Sequence, residues 1–407
     1  MENSVLDSRY SWTRLGVSLL IALVGNVGMW AVIVVMPDIQ SEFALDRASS
    51  SMPYVLTMIG FALGNFYFGK AGDRLGITTS LIASAGIVAA GFVASALSGN
   101  VVVLSGFHIF IGFGTGAYFG PLVADISHWF QRRRGVAVAI VASGNYLSGA
   151  IWPLLLAGVL TDFGWRGVYW VLSISVVVLV VPLSLLLRRK VPDDVNAQVA
   201  ATTAAKAGKV LFSPRAMQWM LAAAGVACCV AMSMPQVHIV SFCVDLGFGP
   251  AIGAEMLSLM LLGGVASRLV SGFLADKIGG VATLLIGSSL QCLALFLYLP
   301  FDGLVSLYLV SLVFGLSQGG IVPSYAIIVR EYMPPNEAGA RVGFVMMATI
   351  FGMALGGWMS GWVYDLTGSY QWAFLNGILW NFLNIAIIGF LFLRGRGTHT
   401  RQSVAVP

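Results

Sequence analysis

The residue with the most chemistry to offer is Arg268. It stands inside Leu257–Gly279, LSLMLLGGVASRLVSGFLADKIG, an apolar run long enough to cross a bilayer. Asp276 and Lys277 mark the polar end of that run. Arg268 precedes Asp276 by eight residues, about 12 Å at a helical rise of about 1.5 Å per residue. The hydrocarbon half-thickness is about 15 Å, so the guanidinium lies near the midplane. There it costs about 2.5–3.5 kcal/mol even on lenient insertion scales. Such a group persists when it faces a polar cavity, a counter-ion or an anionic ligand. No acid lies within a turn or two on the inner side of the helix, and Gly264 and Gly272 leave room one turn away on each side. The competing reading is an arginine that snorkels or pairs with a carboxylate from another span. A single buried cation with no buried acid beside it suits one carboxylate and leaves a dicarboxylate half-neutralised.

The elements that must position Arg268 follow from composition. The chain has 407 residues, 58% hydrophobic and 10% charged, with a mean hydropathy of +0.88. A soluble protein carries roughly 25% charged residues, so this is a polytopic membrane protein. Twelve spans are expected, near 15–36, 51–69, 77–98, 101–124, 135–158, 168–188, 216–243, 252–274, 281–300, 304–328, 342–363 and 372–393. Of the 22 Lys and Arg, 19 fall on the side of both termini, two on the other (Arg47 and Arg166), and Arg268 in the membrane. That asymmetry places both termini in the cytoplasm. The net charge of +5 is thus topological and gives no reason to expect nucleic acid. The first apolar run is too long for a cleavable signal peptide and lacks a small-residue cleavage site. Cys228, Cys229, Cys243 and Cys292 lie in apolar spans without metal-type spacing and read as packing residues.

One unit is used twice. Gly69-Lys-Ala-Gly-Asp73-Arg74-Leu-Gly76 recurs 203 residues later as Gly272-Phe-Leu-Ala-Asp276-Lys277-Ile-Gly279. At the same offset Gly112-Phe-Gly-Thr-Gly116 recurs as Gly315-Leu-Ser-Gln-Gly319, and Asp162 as Asp365. The expected fold is all-α: twelve transmembrane helices as two six-helix pseudo-symmetric halves, 1–188 and 215–407, joined by a polar cytoplasmic linker, 189–214, with one surface helix.

The Gly-x-x-x-Asp-Arg-x-Gly loop, its degenerate copy and the 6+6 layout resemble the major facilitator superfamily over nearly the whole chain. The family's basic residues after the last loop glycine are replaced by Thr78–Thr79 and Gly280–Val281. The span-4 arginine of many proton-coupled members is replaced by His108. A finer resemblance lies in His128-Trp129-Phe130-Gln131-Arg132-Arg133-Arg134-Gly135 running into Ala142-Ser143-Gly144. It is similar to the monocarboxylate transporters and the oxalate/formate antiporters, whose span-8 arginine takes the substrate carboxylate; Arg268 matches it. An Asp four residues before that arginine in animal monocarboxylate transporters is Gly264 here, and the span-11 lysine of the oxalate antiporters is absent from Gly343–Gly361. The span-1 motif of the family is also missing, with Gly28-Met-Trp30 in its region.

The resemblance implies a secondary transporter of a lactate- or pyruvate-like monocarboxylate, working by alternating access as proton-linked symport or exchange. Its partners would be a small organic anion, H+ and the lipid bilayer. It would be a monomer of the plasma (inner) membrane. An exporter of neutral or cationic solutes is the alternative, and Asp125 and Glu255 are the acids nearest to serving one. Arg268, Asn65, Tyr54, Asn26, Trp30, Asn145, Tyr146, His238, Ser317, Gln318 and Tyr325 are the candidate binding groups. Asp73, Arg74, Asp276 and Lys277 are the candidate gating residues. His238, after Pro235, is the candidate for proton linkage. Each polar group in a span also has a plain reading as a helix–helix hydrogen bond. The Gly-x-Ser-x-Gly run at Gly315–Gly319 lacks the strand–turn–helix context of a hydrolase, and no cofactor or enzyme motif is found.

Overall fold

The computed structural model describes residues 6–130, 133–189, 213–333 and 335–403. Most of the expected linker, with its surface helix, lies outside these residues. Among those described, all regular structure is helical. Ten segments are long and apolar enough to span a membrane. One of them, Gly135–Leu185, turns at Gly164, whose φ of 66° only glycine adopts easily. Counting it as spans 5 and 6 and adding Met52–Leu75 as span 2 gives twelve. Span 1 is Arg9–Glu42, span 3 Ile77–Ala96 and span 4 Val101–Trp129. Spans 7 to 12 are Pro214–Asp245, Pro250–Ile278, Gly280–Leu297, Leu304–Tyr332, Pro335–Thr367 and Tyr370–Ser403.

Three of these spans are not the continuous helices their hydropathy suggests. Span 1 is interrupted at Asn26, span 4 between Thr115 and Gly120, and span 10 between Gln318 and Ile321. Apolar composition reports residence in the membrane and is blind to a local break. The break survives because side chains take up the freed backbone groups. Asn26 Nδ2 donates to Ala22 O at 2.8 Å and Tyr118 O at 3.1 Å, serving the breaks of spans 1 and 4 together. Span 7, by contrast, remains one helix through Pro235.

Packing follows the glycines. A Cβ at Gly112 would overlap Thr57 O, and one at Gly315 would overlap Met260 O. Spans 4 and 10 thereby press backbone to backbone on spans 2 and 8, the close approach that small residues permit. One buried apolar cluster lies in spans 1–6 and another in spans 7 and 9–12. A third draws on both sets, placing Trp30, Tyr54 and Tyr146 against Met260, Leu261 and Ala354.

Candidate functional site

Arg268 is 6% exposed and sits where the two sets of helices meet. Its Nε donates to Gly319 O at 3.1 Å, a carbonyl released by the break in span 10. Its Nη1 donates to Ala142 O of span 5 at 2.7 Å. The guanidinium lies 4.1 Å from the centroid of the Tyr146 ring, a cation–π contact. The two carbonyl bonds use Nε and Nη1 and leave Nη2 outside them. The room expected at Gly264 is taken by the Tyr146 ring, whereas Gly272 faces open space.

The charge balance is informative. Among the described residues, Arg14, Arg47 and Arg268 are the buried charged side chains. Arg14 holds Asp125 through Nε at 2.9 Å and Nη2 at 2.8 Å. Arg47 holds Asp245. Arg268 meets carbonyl oxygens and an aromatic face, with no carboxylate. Of the acids considered for a cation site, Asp125 is therefore spent on Arg14, and Glu255 is bonded by the Tyr308 hydroxyl in an exposed position.

Around Arg268 the structure brings together six of the expected groups. Trp30 Nε1 donates to Asn145 O at 2.9 Å, and its ring meets Tyr146 edge-on with centroids 6.4 Å apart. Asn145 Nδ2 donates to Asn26 Oδ1 at 3.3 Å. Gln318 precedes the carbonyl that Arg268 holds, and its Oε1 accepts from Gln236 Nε2 at 2.7 Å. Ser317 spends its hydroxyl on Phe314 O.

Other expected groups are occupied elsewhere. Asn65 closes the break in span 4, accepting from Gly120 N through Oδ1 and donating to Phe61 O, both at 3.0 Å. The Tyr325 hydroxyl donates to Asn384 Oδ1 at 2.9 Å in a network that continues to Ser288. His108 links Thr57 to the Tyr169 hydroxyl inside the first set of helices. His238 lies toward the end of the bundle opposite the termini. Its Nε2 faces Gly357 O at 2.7 Å and so donates, leaving Nδ1 to accept from the Tyr370 hydroxyl at 3.2 Å. Tyr54 packs beside the same Gly357.

That far end carries a junction unforeseen from the sequence. Asp365 of span 11 accepts from Arg47 N at 2.9 Å and Ala48 N at 2.8 Å, the first turn leading into span 2. Arg47 in turn reaches Gln40 and Asp245, and its guanidinium stands 5.3 Å from the Tyr364 ring centroid. Tyr364 and Tyr370 lie 4.5 Å apart, which connects the junction to His238. Two signals were available: Arg47 is one of two basic residues on its side, and Asp365 is a repeat landmark. At the other end, Arg74 and Lys277 are exposed, while the side chains of Asp73 and Asp276 lie outside the described residues.

With this geometry in place, comparisons with known proteins give a consistent answer. The family described as the Major Facilitator Superfamily matches residues 18–339 and again 244–406. Monocarboxylate transporter 13 of Bos taurus is 27% identical over 331 residues, covering 80% of this chain and 75% of that protein. Monocarboxylate transporter 11 of Homo sapiens is 29% identical over 357 residues, covering 83% of this chain and 74% of that one. Among solved structures, a bacterial homologue of the human lysosomal transporter Spinster, inward-facing and occupied, matches with a TM-score of 0.71 at 15% identity. The match covers 96% of this chain and 98% of that one, and the likeness is one of fold.

Proposed function

The chain belongs to the Major Facilitator Superfamily, a family of multi-pass membrane transporters, and from that membership we propose that it carries a small monocarboxylate of the lactate or pyruvate kind. The observation that carries the reading is the charge balance: of the three buried arginines among the described residues, Arg268 is the one without a carboxylate. The named monocarboxylate transporters among its relatives support the same substrate class.

The substrate carboxylate binds at Arg268 Nη2, with Tyr146 and Trp30 as the apolar wall. Binding a small anion there neutralises the buried cation that has no carboxylate among the described residues, at the meeting of the two halves, 1–188 and 215–407. The halves rock about it, the alternating access of such folds, with segment 189–214 as their linker. The protein works as a monomer in the plasma (inner) membrane with both termini in the cytoplasm, the orientation favoured by the basic residues. The junction of Arg47, Asp245 and Asp365 is then the outer gate. Asp73, Arg74, Asp276 and Lys277 serve the cytoplasmic one. Transport is symport with H+ or exchange. His238 is the proton-linked group: protonating Nδ1 turns the Tyr370 hydroxyl from donor to acceptor, beside the outer gate.

A thermal-shift screen of carboxylic acids on the purified protein tests the reading, because a ligand that binds only the folded form stabilises it. A monocarboxylate should raise the melting temperature of the wild type and leave Arg268→Ala unmoved. Stabilisation by neutral or cationic solutes, with no response to any carboxylate, would overturn it.

A further inference from the structure

Spans 7 and 10 hold an amide pair that no contact within the described protein completes. Gln236 and Gln318 are 1% and 0% exposed. Their mutual bond leaves Gln236 Oε1 and Gln318 Nε2 without partners. Exchanging oxygen and nitrogen in both amides swaps the roles and still leaves one acceptor and one donor. The deficit therefore does not depend on how the amides are oriented. Buried polar atoms are nearly always satisfied, so a deficit of this kind needs an occupant.

Its position says which occupant. Gln318 is the last residue of its helix segment, and the next residue, Gly319, gives its carbonyl to Arg268. The amide pair and the carboxylate seat are thus built on the same break in span 10. We propose that Gln236 and Gln318 form a second subsite, which binds a hydroxyl group on the carbon chain of the carboxylate held at Arg268. A hydroxyl donates one hydrogen and accepts another, matching both unpaired atoms. An oxo group only accepts and an ammonium group only donates, so either leaves one amide atom unpaired. A chain without a polar group leaves both. The inference rests on the anion reading of Arg268 and adds to it a substrate class, hydroxylated monocarboxylates, and a residue, Gln236. The rival occupant is a buried water, which has the same donor and acceptor capacity.

The test is a titration of the full-length purified protein, read by thermal shift, with butyrate and with 2-, 3- and 4-hydroxybutyrate. One of the hydroxybutyrates should bind roughly tenfold or more tightly than butyrate, since a site built to bond a hydroxyl discriminates strongly against its absence. In the double variant Gln236→Met, Gln318→Met both amides go together, so no orphan remains and the side-chain volume is kept. It should lose the hydroxyl preference and bind butyrate and the three hydroxybutyrates alike. The wild-type series decides even if that variant fails to fold. Equal binding of butyrate and all three hydroxybutyrates overturns the subsite. A hydroxyl preference that survives in the double variant also overturns it and leaves the pair to water. Butyrate binding that Arg268→Ala abolishes, without any hydroxyl preference, removes the subsite alone. No response to any of these acids, in wild type and Arg268→Ala alike, removes the anion site and the subsite with it.

Discussion

Spans 2 and 4 and spans 8 and 10 cross in the same way, and the residue standing at the crossing differs in charge. In each pair a broken helix lies backbone to backbone against an unbroken one. A Cβ at Gly116 would collide with Asn65 N, and one at Gly319 with Gly264 O and Arg268 N. Residues 65 and 268, related by the repeat offset, stand at the two crossings. Asn65 is neutral and spends itself on the break within its own half. Arg268 takes one carbonyl of its break and then reaches across to span 5 of the other half. The backbone is duplicated; the charge is not. A structural role needs only hydrogen-bonding capacity, and the first copy shows that an amide supplies it. The cost of a buried guanidinium in the second copy therefore calls for a different explanation, which the proposed anion binding would provide.

The sharpest way to break the comparison is at the glycines. Gly116→Ala and Gly319→Ala each force a methyl group into backbone atoms that have no rotamer to yield with. Each should lower stability by about 3 kcal/mol or more, at the upper end of overpacking effects. Thermal unfolding of the two variants should show similar losses. A tolerated alanine at one site and not the other would mean that the two crossings are not the same structure.

The next effect separates the partners of those glycines. Arg268→Ala should weaken carboxylate binding by roughly ten- to a hundredfold, since a hydrogen bond to a charged group contributes about 1.5–3 kcal/mol. Its melting temperature should stay close to that of the wild type, because two lost carbonyl bonds are offset by removing a buried cation. Asn65→Ala should do the reverse. It leaves Gly120 N without its bond, at about 1–3 kcal/mol, and the response to carboxylates should persist. Unfolding curves with and without ligand on both variants check this. Arg268→Ala with full ligand response would erase the distinction between the two copies.

The same comparison shows what was legible in the sequence. The glycine landmarks, the repeat and the exceptional arginine were all visible, because each departs from an otherwise apolar composition. The breaks in spans 4 and 10 were not, because a glycine-rich apolar run is compatible with either a continuous or a broken helix. Nothing in the sequence singles out Gln236, since a lone amide in a span normally finds a helix neighbour. Only the three-dimensional pairing with Gln318 shows the atoms left over. The expected grouping of His238 and Tyr325 with Arg268 rested on depth alone, and depth does not say which neighbour a side chain faces.

The two halves also differ at the far end. Asp365 accepts two backbone N–H groups from Arg47 and Ala48. For its repeat counterpart Asp162, the positions matching Arg47 and Ala48 are Pro250 and Ala251, and proline has no N–H to give. Asp365→Ala should therefore loosen the junction, whereas Asp162→Ala should be silent. With a cysteine replacing Met36, which is buried in the apolar cluster shared by the halves, labelling by a membrane-impermeant maleimide should rise in the first variant only. Equal labelling in both would show that the junction is not one-sided.

The smallest effect lies one residue earlier. Asp46 caps the turn that presents those N–H groups, accepting from Ser49 N at 2.7 Å. Its counterpart in the second half is Gly249, which has no side chain to cap with. Hydrogen bonds from the Ser49 side chain and backbone hold the Asp46 carboxyl below its ordinary value of 3.8. A carboxyl whose folded value is depressed adds stability that is fully present above the unfolded value and is lost as the pH falls through the folded one. The cap should therefore contribute at neutral pH and fade below about pH 4. Asp46→Ala should cost about 1 kcal/mol at neutral pH, the usual size of an N-cap, and less under acid conditions. The matching change Gly249→Ala removes no cap, and any loss there comes from its positive φ of 84° and should not vary with pH. Comparing the pH dependence of unfolding in the two variants isolates the capping term. If Asp46→Ala costs as much at pH 3 as at pH 7, the ionised carboxylate is not what holds the turn.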